Sequence, residues 1–220
     1  MSVGRPAAPE ARAPRPATER DGRRAVHVLL VSGAPGSGKS TLGRALADWL
    51  GFDLVDLDEV GAEVTGRSLG VIGAPPEALD DPEVAPGLRA PRYAALASHA
   101  ARLVAAGRGV VAVAPFTAER RDPGRHAAFV GEVMGGGAWA TDAALLVYVK
   151  TPEEEIARRL AARGAERDRR KLADPALLRR SARPVPPVVD HLGVDGTAPL
   201  AEQVAAVVSR LLGSETPCSW

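Results

Sequence analysis

Eight residues constrain this chain more than any others. Gly33-Ala34-Pro35-Gly36-Ser37-Gly38-Lys39-Ser40 satisfies GxxxxGK followed by Ser or Thr at every fixed position. Before it, Val26, Val28, Leu29, Leu30 and Val31 form a nearly continuous apolar run, the pattern of a parallel strand covered on both faces. After it, Leu42, Ala45, Leu46, Trp49 and Leu50 recur at helical spacing until Gly51 supplies a stop. Strand, glycine turn and helix in this order are the context in which the pattern means an anion cradle. Glycines let consecutive backbone N–H groups converge on a phosphate, and the helix N-terminus adds partial positive charge. Lys39 then reaches the terminal phosphates and Ser40 ligates magnesium, while Thr41 either assists or is an ordinary helix residue.

Composition bounds the rest. A chain of 220 residues that is 45% apolar and 25% charged is neither fibrous nor wholly disordered. With 28 basic against 27 acidic side chains the net charge is +1, so no whole-molecule field argues for nucleic acid or an anionic membrane as partner. The longest apolar stretches, at 110–116 and 143–149, fall far short of the ~20 residues that cross a bilayer. The single cysteine, Cys218, excludes an intrachain disulfide, and a reducing cytoplasm is the expected home. Residues 1–24 hold six arginines and four prolines with almost no large apolar group and read as a disordered tail; 25–212 read as one domain and 213–220 as a flexible end. Only Lys39, Lys150 and Lys171 are lysines, so arginine runs are discounted as functional evidence.

Further strands are expected at 52–55, 110–114, 144–149 and 188–194. Helices are expected from Tyr93 toward Gly107, from Asp122-Pro123 toward Met134, from a capping box at Thr151-Pro152-Glu153-Glu154 toward Gly164, after Asp174-Pro175, and through Leu200 to Leu211. The glycine- and proline-rich stretch 61–91 reads as a short helix followed by irregular surface segments that face substrate. Regular alternation implies a five-stranded parallel sheet between helix layers.

Asp56 and Asp58 end the second strand, where an open parallel sheet borders its ligand crevice. One suits magnesium, directly or through water, and the other an acceptor hydroxyl's proton; either also suits an N-cap. The stretch 158–171 carries six arginines, one lysine and two acids, and reads either as a lid closing over phosphoryl oxygens or as a solvated basic face. Arg89, Arg92 and Tyr93 suit an anionic or hydroxylated small molecule, or else a helix start with Tyr93 in the core. Asp195-Gly196-Thr197 is either an adenine-side loop or a plain turn. His27, His99, His126 and His191 show no ligand-like spacing.

These residues resemble the small P-loop metabolite kinases that include shikimate kinase and gluconate kinase, best over Gly33 to Thr41 and Phe52 to Asp58. The resemblance implies a three-layer α/β P-loop NTPase fold with an arginine-rich lid, ATP and magnesium as cofactors, Asp56 near magnesium and Asp58 near the acceptor. Where shikimate kinase has three glycines after its third strand this chain has Ala114-Pro115-Phe116, so the resemblance does not extend to shikimate itself. Likeness to gluconate kinase there implies that Thr117, Arg120 and Arg121 contact a polyol or phosphate. Across 114–174 the chain resembles bacterial predicted kinases labelled AAA-type ATP-binding proteins, which implies Arg163 near the adenine side of the lid and Arg167 near the transferring phosphate. The activity so implied is phosphoryl transfer from ATP to a small-molecule hydroxyl by a monomer or weak dimer. A polynucleotide end kinase and an ATPase switch acting on a protein partner are the competing readings; with aromatics only 4% of the chain, no base-stacking platform favours nucleic acid.

Overall fold

The computed structural model describes residues 27–73, 84–136, 143–165 and 168–213. Five parallel strands, β1 (Val28–Gly33), β2 (Asp53–Asp56), β3 (Val110–Val113), β4 (Ala144–Lys150) and β5 (Leu192–Asp195), lie in the order β2-β3-β1-β4-β5. Strand β1 is central, with Val28 opposite Val110 on one side and Ala144 on the other.

The two-residue period of a strand sorts the core into two halves. Leu29, Val31, Val111, Val113, Val147 and Val149 face one way and pack on Leu42 and Leu46 of α1 (Lys39–Leu50). Val207 of α9 (Leu200–Leu212) closes the same face. Val28, Leu30, Val110, Ala112 and Leu146 face the other way. They meet Leu96, Ala97 and Ala100 of α4 (Ala85–Ala105) and Phe129, Val130 and Val133 of α5 (Pro123–Val133). Residues 28–31 and 110–113 are fully buried, which is why their sequences are unbroken runs rather than alternations. This is the expected three-layer α/β sheet fold.

The remaining helices are α2 (Leu57–Val60), α3 (Ala62–Ile72), α6 (Glu153–Arg163), α7 (Arg169–Ala173) and α8 (Pro175–Ala182). No helix among the described residues is long and apolar enough to cross a membrane. The expected tail at 1–24 and all but Gly213 of the one at 213–220 lie outside the described residues.

Three local expectations are corrected. The short helix expected in 61–91 is α3, and 74–83 lie outside the described residues, but 85–91 is the start of α4 rather than an irregular segment, because Pro86 falls in its first turn, where the missing N–H has no helical partner to lose. Pro91 costs that helix one hydrogen bond, and burial of Leu88, Tyr93 and Leu96 outweighs it. Strand β5 begins at Leu192 rather than 188, since Val188 gives its N–H to Arg120 O across a loop and leaves its side chain exposed. Thr151 does not cap α6: the N-cap is Pro152, without a side-chain cap, and the threonine hydroxyl bonds elsewhere.

Candidate active site

The glycine turn leaves β1 at its C-terminal end and enters α1 through two left-handed residues, Gly36 at φ 77° and Gly38 at φ 99°. Any Cβ on Gly33 would strike Ser37 Oγ at 2.4 Å and Val149 O at 3.0 Å, so only glycine lets the turn fold so tightly. Lys39 opens the helix and its Nζ donates to Ala34 O at 3.3 Å, curling back over the turn. Ser40 follows one residue inside the helix.

These groups form the floor of a cleft of about 550 Å³ along the C-terminal edge of the sheet. The strand order gives the cleft two ends. From the end of β2 and the start of α2 come Asp56, Leu57 and Asp58 and from just after β3 come Ala114 and Pro115, with Arg92 reaching in from α4; from beyond β5 come Gly196, Ala198, Leu200 and Gln203. Gln203 is buried and donates its side-chain amide to Ala198 O at 2.7 Å. Arg159, Arg163, Asp168 and Lys171 line the cleft as well.

At the β2 end the two aspartates part company. Asp56 is 8% exposed and its Oδ1 accepts the Asp58 N–H at 2.9 Å, so it does cap α2 while still lining the cleft. The Asp58 side chain is half exposed and takes a hydrogen bond from Arg92 Nη2 at 3.2 Å. Arg92 is largely covered, and its buried Nε has no partner.

In the cleft lining, Arg163 Nε donates to Asp168 Oδ2 at 2.9 Å and its Nη2 makes a second bond to the same oxygen. Asp168 is almost wholly buried, so an acid holds this arginine in the cleft wall. Arg167 lies outside the described residues. Arg159 was legible only as one of a run of arginines, yet each of its three nitrogens has a partner: Nη1 on Ser37 O at 3.0 Å, Nη2 on Gly196 O at 2.8 Å and Nε on Glu155 Oε1 at 2.6 Å. Hydrogen bonds from Arg158 and then Arg159 hold the Glu155 carboxyl down at about 2.

Four residues expected at the acceptor site, Arg89, Thr117, Arg120 and the exposed Arg121, do not line the cleft. Arg89 donates to both oxygens of buried Glu119 at 2.7 Å and stacks on Tyr93, 4.1 Å from the ring centre. Arg120 is buried beside the Tyr148 ring at 4.9 Å, and Thr117 is an exposed turn residue. The shift has a local cause: Phe116, at φ 44°, turns the chain sharply after Pro115 and tucks its own ring into the core. What the cleft meets there is the apolar wall of Ala114 and Pro115.

A parallel sheet with β1 central, a glycine-rich cradle at the head of α1 and a cleft across the strand ends define a P-loop NTPase fold. Within that class the chain belongs to the AAA domain family AAA_33, whose model matches residues 28–187. Over 45 residues it is 47% identical to a shikimate kinase from Corynebacterium efficiens, covering 20% of this chain and 27% of that protein. Over 47 residues it is 45% identical to a shikimate kinase from Chlorobium phaeobacteroides, covering 21% of this chain and 25% of that one. The matches thus span about a quarter of the length of these relatives. Among solved structures, a gluconokinase from Sinorhizobium meliloti superposes with a TM-score of 0.55 at 23% identity, over 87% of this chain and 94% of its own. A sugar kinase from Janibacter sp. does so with 0.55 at 19%, over 86% and 95%. At such identities the likeness is one of fold.

Proposed function

We infer that this protein is an ATP- and magnesium-dependent phosphotransferase that moves the terminal phosphoryl group to a hydroxyl of a small molecule. One observation carries the reading: the cleft that begins at Lys39 and Ser40 ends at two carboxylates, Asp56 and Asp58. A nucleotide-binding turn that only switched conformation has no need of the second carboxylate, whereas transfer to an alcohol needs an acceptor for its proton.

The oxygen set fits magnesium. Ser40 and the nearly buried Asp56 are hard donors facing one space, and such ions keep several waters and phosphate oxygens besides one or two protein ligands. Bound there, the ion would neutralise charge on the transferring phosphate. Lys39 stabilises the same charge from the helix N-terminus, with Arg163 from among the other cleft-lining residues. Asp58 orients the acceptor hydroxyl and takes its proton, and Arg92, which lines the cleft with one nitrogen on Asp58, favours an acceptor that bears an anionic group. The nucleoside end lies toward Gly196, Ala198 and Gln203, at the opposite edge of the sheet from the acceptor.

Incubation with ATP, magnesium and a panel of hydroxylated metabolites tests this. Lys39→Ala lowers transfer by about a hundredfold or more with the fold intact, and Asp58→Asn lowers kcat by about 10²- to 10⁴-fold. Tight ATP binding with no phosphorylated alcohol in the panel, or full transfer by Asp58→Asn, overturns the assignment.

A further inference from the structure

The carbonyl of Ser37 is held by two side chains that lie far from the glycine turn in sequence. It accepts from Thr151 Oγ1 at 2.9 Å and from Arg159 Nη1 at 3.0 Å. Both donors come from outside the turn, Thr151 from the end of β4 and Arg159 from α6, and Arg159 also holds Gly196 O beyond β5. There is no slack in the joint: a Cβ on Gly196 would lie 2.0 Å from Thr151 Oγ1 and 2.7 Å from Ser37 O.

We propose that Thr151 and Arg159 are positioning residues that aim the phosphate cradle through the Ser37 carbonyl. In a trans peptide the C=O of one residue and the N–H of the next point in opposite directions across one rigid plane. Fixing Ser37 C=O from behind therefore fixes the direction of the Gly38 N–H in front. Gly38 needs such restraint, because a glycine at φ 99° has the widest choice of alternatives. Two donors on one carbonyl, one of them cationic, also polarise the peptide and make its N–H a stronger donor to an anion. The cradle is thus set before any phosphate arrives, which spares the ligand the cost of ordering it.

The proposal rests on the reading of the cleft as a nucleoside triphosphate site, and Thr151 separates the two. It is 3% exposed and does not line the cleft, so it affects a bound phosphate only through its neighbours, and of these Ser37, which accepts its hydrogen bond, belongs to the phosphate turn. The probes are inorganic tripolyphosphate and ATP, each with magnesium, measured by calorimetry on the full chain. Thr151→Val weakens both by about fivefold and Thr151→Ser restores them; Arg159→Met weakens both by about tenfold or more, and the double variant loses less than the product. In the ligand-free variants, amide hydrogen exchange speeds up in segment 36–39 and not in β3 or α5, a readout that general loosening would not give. Unchanged affinity in Thr151→Val, a Thr151→Ser variant as weak as Val, or exchange at 36–39 that stays at the wild-type rate in Arg159→Met overturns the proposal. A wild-type chain that binds neither probe instead overturns the nucleotide reading.

Discussion

Phe116 occupies a backbone angle, φ 44°, that a bulky side chain adopts only when its surroundings insist. Tyr93 is what insists: its Oη accepts the Phe116 N–H at 2.9 Å, and the two rings meet edge to face at 5.9 Å with Phe129 completing the cluster. Burial, aided by Glu119, pushes the Tyr93 hydroxyl up to about 12, so it stays protonated throughout the working range. Tyr93→Phe strands a buried N–H and lowers the unfolding free energy by about 1–3 kcal/mol in a denaturant titration. His126 makes the opposite kind of statement. Its ring is buried with Nδ1 unpartnered, and desolvation lowers its pKa against a smaller upward pull from Glu119. The unfolded chain therefore takes the proton more readily, and the stability of the neutral ring is complete above the ordinary value of 6.5 and drains away as pH falls through it. Between about pH 7.5 and 5.5 the melting temperature of the wild type drops more steeply than that of His126→Gln.

Elements were legible where their signals are local. Gly51 ends α1 at φ 68°, and Asp122 and Asp174 cap α5 and α8 by accepting the N–H groups of Gly124 and Ala176 at 2.9 and 2.8 Å. In each case the residue and its partner are neighbours in the chain, so the pattern contains the whole interaction. Asp122→Ala accordingly costs about 1 kcal/mol, read as a lower denaturation midpoint at unchanged slope. Thr151 misled for the same reason in reverse: it has the spacing of a capping box, but Ser37, 114 residues earlier, competes for its hydroxyl and wins. The first turns of α4 were hidden by punctuation. Gly and Pro at that density read as loop, and only burial of Leu88, Tyr93 and Leu96 against the sheet reveals that α4 continues through Pro91. Arg159 was masked by its own kind, one basic residue in a stretch whose composition explains arginine without any task.

For the molecule as a whole, strand count, layer order and the position of the cradle followed from hydrophobic run lengths and one motif, since buried parallel strands need unbroken apolar stretches. The acceptor wall did not follow, because it depends on one left-handed residue and on which arginines the core captures: Glu119 takes Arg89, Tyr148 shelters Arg120, and Arg92 alone of the three reaches the cleft. A ligand gripped at the centre of such a sheet stabilises every element packed on it. Magnesium ATP at about a hundred times its dissociation constant adds about 2.7 kcal/mol, a rise in melting temperature of about 5–10 °C, and Lys39→Ala abolishes that rise.

The strand order β2-β3-β1-β4-β5 has a kinetic corollary. For the proposed transfer the two reactants enter by separate doors at opposite edges of the sheet and meet only above β1, so neither blocks the other's way in or out. Both must be aboard together for a direct handover, and either can board first. Double-reciprocal plots at several fixed levels of the second substrate then converge to the left of the axis instead of running parallel, and each spent product departs without waiting for its companion.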